Sequence, residues 1–477
     1  MIGLNLIGNE YKYEIENIIM MFFPSEKVSQ TEKGDFCNIT AKVADTLEVI
    51  VNKDGQEYCD NASICDNNEL ALCSMLFEIL SGITNIRPEW GLQTGVRPTK
   101  VLRMNVQKYG LNKALSVMRD DMKISNRKLT LAYQTMKIQD ELLKILKPNG
   151  YSLYVSIPFC KSRCSYCSFV SHDVTKSHKL IPEYVQLLCK EIEYTLKIAN
   201  NLGLTLQSVY FGGGTPTAID GGMLKIIDNA IRSNTDMSGV LEYTVEAGRP
   251  DTITREKLLQ IKSMGADRIS INPQTLNDEV LKNIGRAHTV KEFYDSFALA
   301  REIGFDNINT DLIAGLSGDT VDSFKHSLDE IINLSPESVT VHTLSVKRSS
   351  NDMTEATARF RATAEDVSQM VDYAREQLSF NEYNPYYMYR QSRQAGNLEN
   401  VGYSKKGYES LYNMLIMEEV QTIFAVGAGA STKIVQGNQI DRIFNYKYPY
   451  EYISGFDEML NRKDKIYQFF DNQVTGL

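Results

Sequence analysis

The chain has 477 residues, 43% hydrophobic and 23% charged, the make-up of a globular protein with room for two or three domains. Its 51 basic and 60 acidic side chains give a net charge of -9 with no lysine or arginine block, which argues against nucleic-acid binding through phosphate neutralisation. The N-terminus lacks a basic segment followed by an apolar one, and no apolar run reaches the roughly 18 residues of a membrane span, so no span and a cytoplasmic location are expected.

Residues 1–147 read as a separate α+β domain of unassigned role. A strand is expected at 4–7, a loop or hairpin over the acid-rich 48–68, and helices over 69–80, 113–118 and 129–146. The only tryptophan, Trp90, opens a turn-rich segment that is either a docking loop or a packing corner; packing is favoured because a lone tryptophan is usually largely buried. The turn Pro148-Asn149-Gly150 marks a boundary. Cys37, Cys59, Cys65, Cys73 and Cys189 show no ligand spacing and are expected to be buried free thiols.

From 148 to 345 short β-branched runs alternate with amphipathic stretches, the pattern of a parallel sheet wound with helices. Strands are expected at 153–157, 208–211, 242–246, 268–271, 307–313 and 338–344, and helices at 182–199, 223–232, 255–264, 291–303 and 323–334. Ligands in such folds sit at the carboxyl ends of the strands. That rule brings Cys160, the run Gly212-Gly213-Gly214-Thr215, Glu246, Gln274 and Asp311 to one rim. Beyond 346 a polar loop, a helix over 365–380 and a tyrosine-rich stretch from Tyr383 follow; those rings either stack on a planar ligand or form a packing seam.

Cys160, Cys164 and Cys167 follow the first strand of this block at intervals of four and three residues. Three thiolates on one short loop can hold three corners of a 4Fe-4S cluster and leave its fourth iron open for a ligand. Zinc with His172 or His178 is the alternative, disfavoured because zinc ligands rarely take this spacing directly after an apolar strand. The consecutive glycines after the second strand let the backbone approach a ligand closely. Glu246 can accept hydrogen bonds from ribose hydroxyls or an ammonium group.

The cysteine loop, Tyr166 just before its last cysteine and the later Gly-Gly-Gly-Thr-Pro run together resemble the radical S-adenosylmethionine (SAM) enzymes. The resemblance implies an α/β fold: a six-stranded partial (β/α)6 barrel over 148–345, with the N-terminal α+β domain and a mostly helical, substrate-covering extension over 346–477. It implies a 4Fe-4S cluster on the three cysteines, with SAM on the open iron cleaved to a 5'-deoxyadenosyl radical. Tyr154, six residues before Cys160, Tyr166, Gly213, Gly214, Thr215 and Glu246 are the implied SAM-binding residues.

Gln274, Arg286 and Asp311 are spaced as in the oxygen-independent coproporphyrinogen III dehydrogenases, where the matching residues bind a second SAM molecule. The resemblance runs over about 153–343 and, more weakly, 425–430; the stretch 396–403 and the Trp90 loop are similar to the dehydrogenase-like proteins of Gram-positive bacteria. The implied reaction is oxidative decarboxylation of coproporphyrinogen III to protoporphyrinogen IX in heme biosynthesis, with a reduced flavodoxin or ferredoxin-type protein as electron donor. Phe169 stands where the well-studied dehydrogenases carry a further cysteine, a cysteine that the related heme chaperones also lack. Heme delivery without catalysis, or another radical reaction on a tetrapyrrole, is therefore the alternative. Lys347, Arg348, Arg390 and Arg393 are candidate propionate partners, each weighed against a plain solvated charge.

Overall fold

A computed structural model describes all residues except 31–32, 168, 170, 346–361, 392–394, 438 and 475–477. Lys347, Arg348, Arg393 and most of the expected polar loop lie outside the described residues. The chain divides into two compact units, Met1–Met136 with Met388–Glu399, and Lys137–Tyr387 with Asn400–Leu477. Among the described residues no helix is long and apolar enough to cross a membrane.

The first unit carries strands β1 (Ile2–Ile7), β2 (Val28–Ser29), β3 (Cys37–Val43), β4 (Thr46–Lys53) and β5 (Gln56–Ser63) in the order β2-β1-β3-β4-β5. β4 and β5 form the hairpin anticipated in the acid-rich stretch. Asp54 and Gly55 supply the two positive φ angles, 55° and 78°, that a tight two-residue turn requires. Helices Lys12–Phe22 and Asn68–Thr84 bury Ile15, Ile19, Phe22, Leu72, Leu76 and Phe77 with the apolar face of the sheet. Cys37 and Cys73 are buried free thiols as expected, but Cys59 and Cys65 are exposed: Cys59 sits on the edge strand and Cys65 just beyond it, where no further layer covers them.

Trp90 is a packing corner. It is buried, its Nε1 donates to Glu399 Oε2 at 2.7 Å, and the Arg390 guanidinium lies 5.6 Å from its ring centre. Lys128 Nζ binds the other Glu399 oxygen at 2.6 Å. Burial disfavours the Glu399 carboxylate, yet Lys128 and the Trp90 N–H hold it below the usual range. Arg390 is not a solvated charge: it is buried and donates to the carbonyls of Gln93 and Asn397.

In the second unit, β6 (Gly150–Ile157), the short pair β7 (Phe159–Cys160) and β8 (His172–Asp173), then β9 (Thr205–Gly213), β10 (Glu242–Glu246), β11 (Arg268–Ser270), β12 (Ile308–Ala314) and β13 (Ser338–Thr343) follow in order. The later strands are β14 (Asn384–Arg390), β15 (Glu399–Ser404), β16 (Thr422–Val426), β17 (Ser431–Gln436) and β18 (Gln439–Phe444). The large sheet runs β14-β15-β13-β12-β11-β10-β9-β6-β16-β17-β18, and β14 and β15 each reach into the segment assigned to the first unit. Its six middle strands are the six expected ones, parallel and in chain order. Crossover helices Ile181–Asn201, Gly221–Asn234, Arg255–Ser263, Val290–Ile303 and Val321–Leu334 match the amphipathic stretches. Four of them start on the side chains of Asp220, Thr254, Thr289 and Thr320, which satisfy free N–H groups of the first turn.

The C-terminal part is helical over Ala364–Phe380, Leu411–Glu418, Pro449–Ser454, Phe456–Lys463 and Lys465–Val474, and it adds five strands that the periodicity did not reveal. β16 lies parallel to β6, Tyr151 opposite Thr422 and Val155 opposite Val426. Fully buried Glu191 ties this part down, accepting from Gly427 N, Asn445 Nδ2 and Tyr452 Oη at 2.7 Å each and pairing with Lys463 at 3.0 Å. One face of the sheet carries a buried polar side chain on each of the six middle strands: Ser152, Ser208, Thr244, Ser270, Asn309 and Thr340. Internal bonds such as Ser208 Oγ to Ser152 Oγ at 2.7 Å and Ser338 Oγ to Asn309 Oδ1 at 3.0 Å satisfy that row.

Candidate functional site

The cysteine loop leaves β6 and is pinned at its base. Phe159 and Cys160 pair with His172 and Asp173, while Gly214 N and Thr215 N donate to the carbonyls of Ile157 and Phe159 at 2.8 Å. Cys160 Sγ lies 3.4 Å from Thr215 Oγ1. Two further loops hold the other side. Ser165 N donates to Ile284 O at 3.0 Å, and buried Arg249 donates to Ser162 O at 3.1 Å, to Ser162 Oγ at 2.8 Å and to Cys164 Sγ at 3.5 Å.

Burial pushes the Cys160 and Cys167 thiols up; the charge of Arg249 draws Cys160 back and that of Arg163 draws Cys167 back. Among the described residues no three His, Cys, Asp or Glu side chains close around a single metal ion. A four-iron cluster spreads its thiolates more widely than one ion does, so three thiols on one loop beside a buried guanidinium fit the cluster. The histidines of the zinc alternative are engaged elsewhere: the His172 ring packs edge-on against Tyr448 and Tyr450, and His178 Nδ1 lies 2.9 Å from Thr175 O.

The glycine run is required by the chain's own packing. Gly213 has φ 102°, and a Cβ there would lie 2.8 Å from Ser156 Oγ; at Gly214 a Cβ would lie 2.6 Å from Phe159 O. These glycines let β9 close against β6 and bring Thr215 to Cys160.

Beside them, Tyr154, Tyr210 and Tyr412 stack with near-parallel rings, Tyr210 and Tyr412 at 4.3 Å and Tyr154 at 6.2 and 5.9 Å from them. Tyr210 Oη donates to Glu246 Oε1 at 2.6 Å. Burial pushes the Glu246 carboxyl up to about 7, with the Tyr210 bond working downward and the nearby Asp311 charge upward.

Gln274, Arg286 and Asp311 meet around the end of β11. Gln274 takes a left-handed φ of 70°, its N–H donating to Asp311 O at 3.0 Å and its carbonyl accepting from Ile313 N at 3.0 Å. For a residue with a side chain this backbone is held against its preference, as at many ligand sites. Arg286 is buried and donates to Asn272 O at 2.9 Å and to Gly248 O at 3.3 Å. Asp311 accepts from Asn309 at 2.8 Å and Asn272 at 2.7 Å, with His342 Nε2 at 3.7 Å. Burial opposes its ionisation, but His342 and Asn309 hold its carboxyl below the usual range. Tyr166 packs against the apolar cluster of Val280, Leu281, Ile284, Ile313, Leu316 and Leu344. Phe169 is 64% exposed.

Sequence reasoning did not single out Arg249, Tyr210, Asn272, His288, His342 and Tyr412. Tyr210, Asn272 and His342 stand in step with the alternating polar face, and Arg249 follows a strand end, so four of the six carried a readable signal. Buried His288, pushed down to about 3 by burial and then by Arg286 and Arg249, and Tyr412, far along the chain, carried none. Tyr383, Tyr386, Tyr387 and Tyr403 are buried in a packing seam; the ring stack at the rim is built from Tyr154, Tyr210 and Tyr412 instead.

The model of the radical SAM superfamily matches residues 154–331. The chain is 40% identical over 407 residues to the oxygen-independent coproporphyrinogen-III oxidase-like protein HemZ of Bacillus subtilis, covering 83% of this chain and 80% of that protein. It is 31% identical to the heme chaperone HemW of the same organism, over 58% of this chain and 70% of the relative. Among solved structures, coproporphyrinogen III oxidase HemN of Escherichia coli superposes with a TM-score of 0.53 at 22% identity, over 68% of this chain and 73% of that one, a likeness of fold.

Proposed function

We propose, on the premise that this chain belongs to the radical SAM superfamily and to its oxygen-independent coproporphyrinogen-III oxidase-like members, that it oxidatively decarboxylates two propionates of coproporphyrinogen III to vinyl groups. Each propionate then loses a β-hydrogen atom to the adenosyl radical, then carbon dioxide, and one further electron to an external one-electron acceptor. The observation that carries this reading is the convergence of the Cys160 loop, Glu246 and Asp311 on one rim of parallel strands. Cys160, Cys164 and Cys167 would hold a 4Fe-4S cluster, which with SAM bound would supply one-electron cleavage of the sulfonium and so a hydrogen-abstracting radical.

The protein's own part is to bind and orient. Arg249 donates to Cys164 Sγ and to Ser162, and so fixes the orientation of the cysteine loop. Tyr154, Tyr166, Gly213, Gly214, Thr215 and Glu246 are proposed to line the first SAM, with Glu246 held in place by Tyr210. Gln274, Arg286 and Asp311 are proposed to hold a second SAM.

Heme delivery is the second reading, favoured by the heme chaperone HemW among the relatives and by exposed Phe169 in place of the extra cysteine. The experiment is anaerobic incubation of reconstituted protein with coproporphyrinogen III, SAM and a flavodoxin or ferredoxin-type reductant, with Cys160→Ala as blank. A product lacking two carboxylates is expected. SAM cleavage uncoupled from substrate, together with tight heme binding and transfer to an apoprotein, would move the assignment to heme delivery.

A further inference from the structure

At the end of β11, Asn272 Nδ2 donates to Asp311 Oδ2 at 2.7 Å. A carboxylate only accepts, so this bond fixes which end of the Asn272 amide faces Asp311. The opposite end, Oδ1, is buried and has no hydrogen-bond partner in the structure. Buried carbonyl oxygens are nearly always paired, so one left open beside a strained strand end marks a place where a donor arrives.

Asp311 is itself committed within the protein. Its Oδ1 accepts from Asn309 at 2.8 Å, and its Oδ2 takes Asn272 with His342 Nε2 at 3.7 Å. The carboxylate therefore orients its neighbours. Arg286 lies under the same turn, with Nη2 donating to Asn272 O at 2.9 Å while its Nε is buried and unpartnered. An open acceptor and an open donor thus stand in adjoining side chains. Their complement is a group carrying both an N–H donor and an oxygen acceptor, as the ammonium and carboxylate of an α-amino acid do. Gly248 packs closely on the other end of the amide, where a Cβ would come within 3.3 Å of Asn272 Nδ2, and so helps to hold the side chain in this orientation.

We infer that Asn272 is a ligand-binding residue: its Oδ1, aimed by Asp311, accepts a hydrogen bond from the amino group of an amino-acid moiety whose carboxylate meets Arg286, and Asp311 is a positioning residue. This rests on the reading that a SAM-type ligand occupies this end of the rim, and it moves the direct contact from Asp311 to Asn272. Asn272→Asp keeps an acceptor at the site but removes the donor that fixes its direction, and it sets two carboxylates side by side.

The test is calorimetric titration of anaerobically reconstituted holoprotein with SAM, and separately with L-methionine, for wild type, Asn272→Ala, Asn272→Asp and Asp311→Asn. All three variants are expected to keep the iron content and melting temperature of the wild type within a few degrees. Each should weaken the L-methionine event about tenfold, the loss of one hydrogen bond to a charged group. Binding by Asn272→Ala equal to wild type for both ligands, or a structure of the holoprotein with SAM in which only water meets Asn272 Oδ1, would overturn the inference. Decarboxylation of coproporphyrinogen III is a separate readout: its absence alongside weakened amino-acid binding would retire the dehydrogenase reading and leave Asn272 in place.

Discussion

Glu246 concentrates the electrostatics of the rim in one titration. Its folded value of about 7 stands above the 4.5 of a free glutamate, so between these values the folded state holds more protons than the unfolded one. Its contribution to stability is therefore full below about pH 4.5 and is lost as the pH rises through about 7. Glu246→Gln should remove that slope, gaining on the wild type by on the order of 3 kcal/mol between pH 4.5 and 8, as chemical unfolding across this range would register. Tyr210→Phe deletes the bond that draws the carboxyl down and should shift the window upward. Identical pH profiles for wild type and Glu246→Gln would refute the assignment. Glu246 itself was legible as a strand-end acid. Tyr412, which completes the ring stack, was not, because no local periodicity ties residue 412 to residue 210.

At the scale of elements, the glycine turn after β9 yields a prediction that separates packing from ligand contact. Gly213→Val adds a branched side chain at a φ of 102° within 2.8 Å of Ser156 Oγ. It should destabilise the ligand-free protein by about 2–4 kcal/mol, read as a lowered denaturant midpoint. A normal midpoint with lost SAM affinity would mean that the glycine run serves ligand contact and not packing. The six parallel strands were readable because buried β-branched runs between capped amphipathic helices have few other interpretations. The helix Pro98–Tyr109 was hidden by the turn signature of the Trp90 segment, although its proline stands at the first turn, where helices tolerate it. β15 and β16 are short and owe their state to β13 and β6, partners far away in sequence that periodicity does not report, whereas β17 and β18 form a local hairpin that the sequence reading passed over.

In the molecule as a whole, stretches that read separately in the sequence meet inside single units. Trp90 and Glu399 join across 309 residues, with Lys128 completing a buried charge pair. Lys128→Met would leave Glu399 buried with its main cation removed, and destabilisation of about 3–5 kcal/mol is expected in equilibrium unfolding. Adding Glu399→Gln should recover a large part of the loss; no recovery would mean that packing of the lysine stem, not its charge, holds this corner. A plain division at 147 did not foresee that 388–399 returns to the first unit, since a short strand segment carries no mark of which core it joins.

β6 lies between β9 and β16, and the cysteine loop begins directly after it. β9 emerges within some fifty residues of β6, whereas β16 begins at Thr422. At about 5–20 residues per second, the ribosome delivers β16 roughly a quarter of a minute to a minute after β6. During that interval one backbone edge of β6 has no strand beside it, and the cysteine loop stands next to the open edge. A nascent chain stalled before Thr422 therefore presents the three cysteines on a sheet not yet closed on their side.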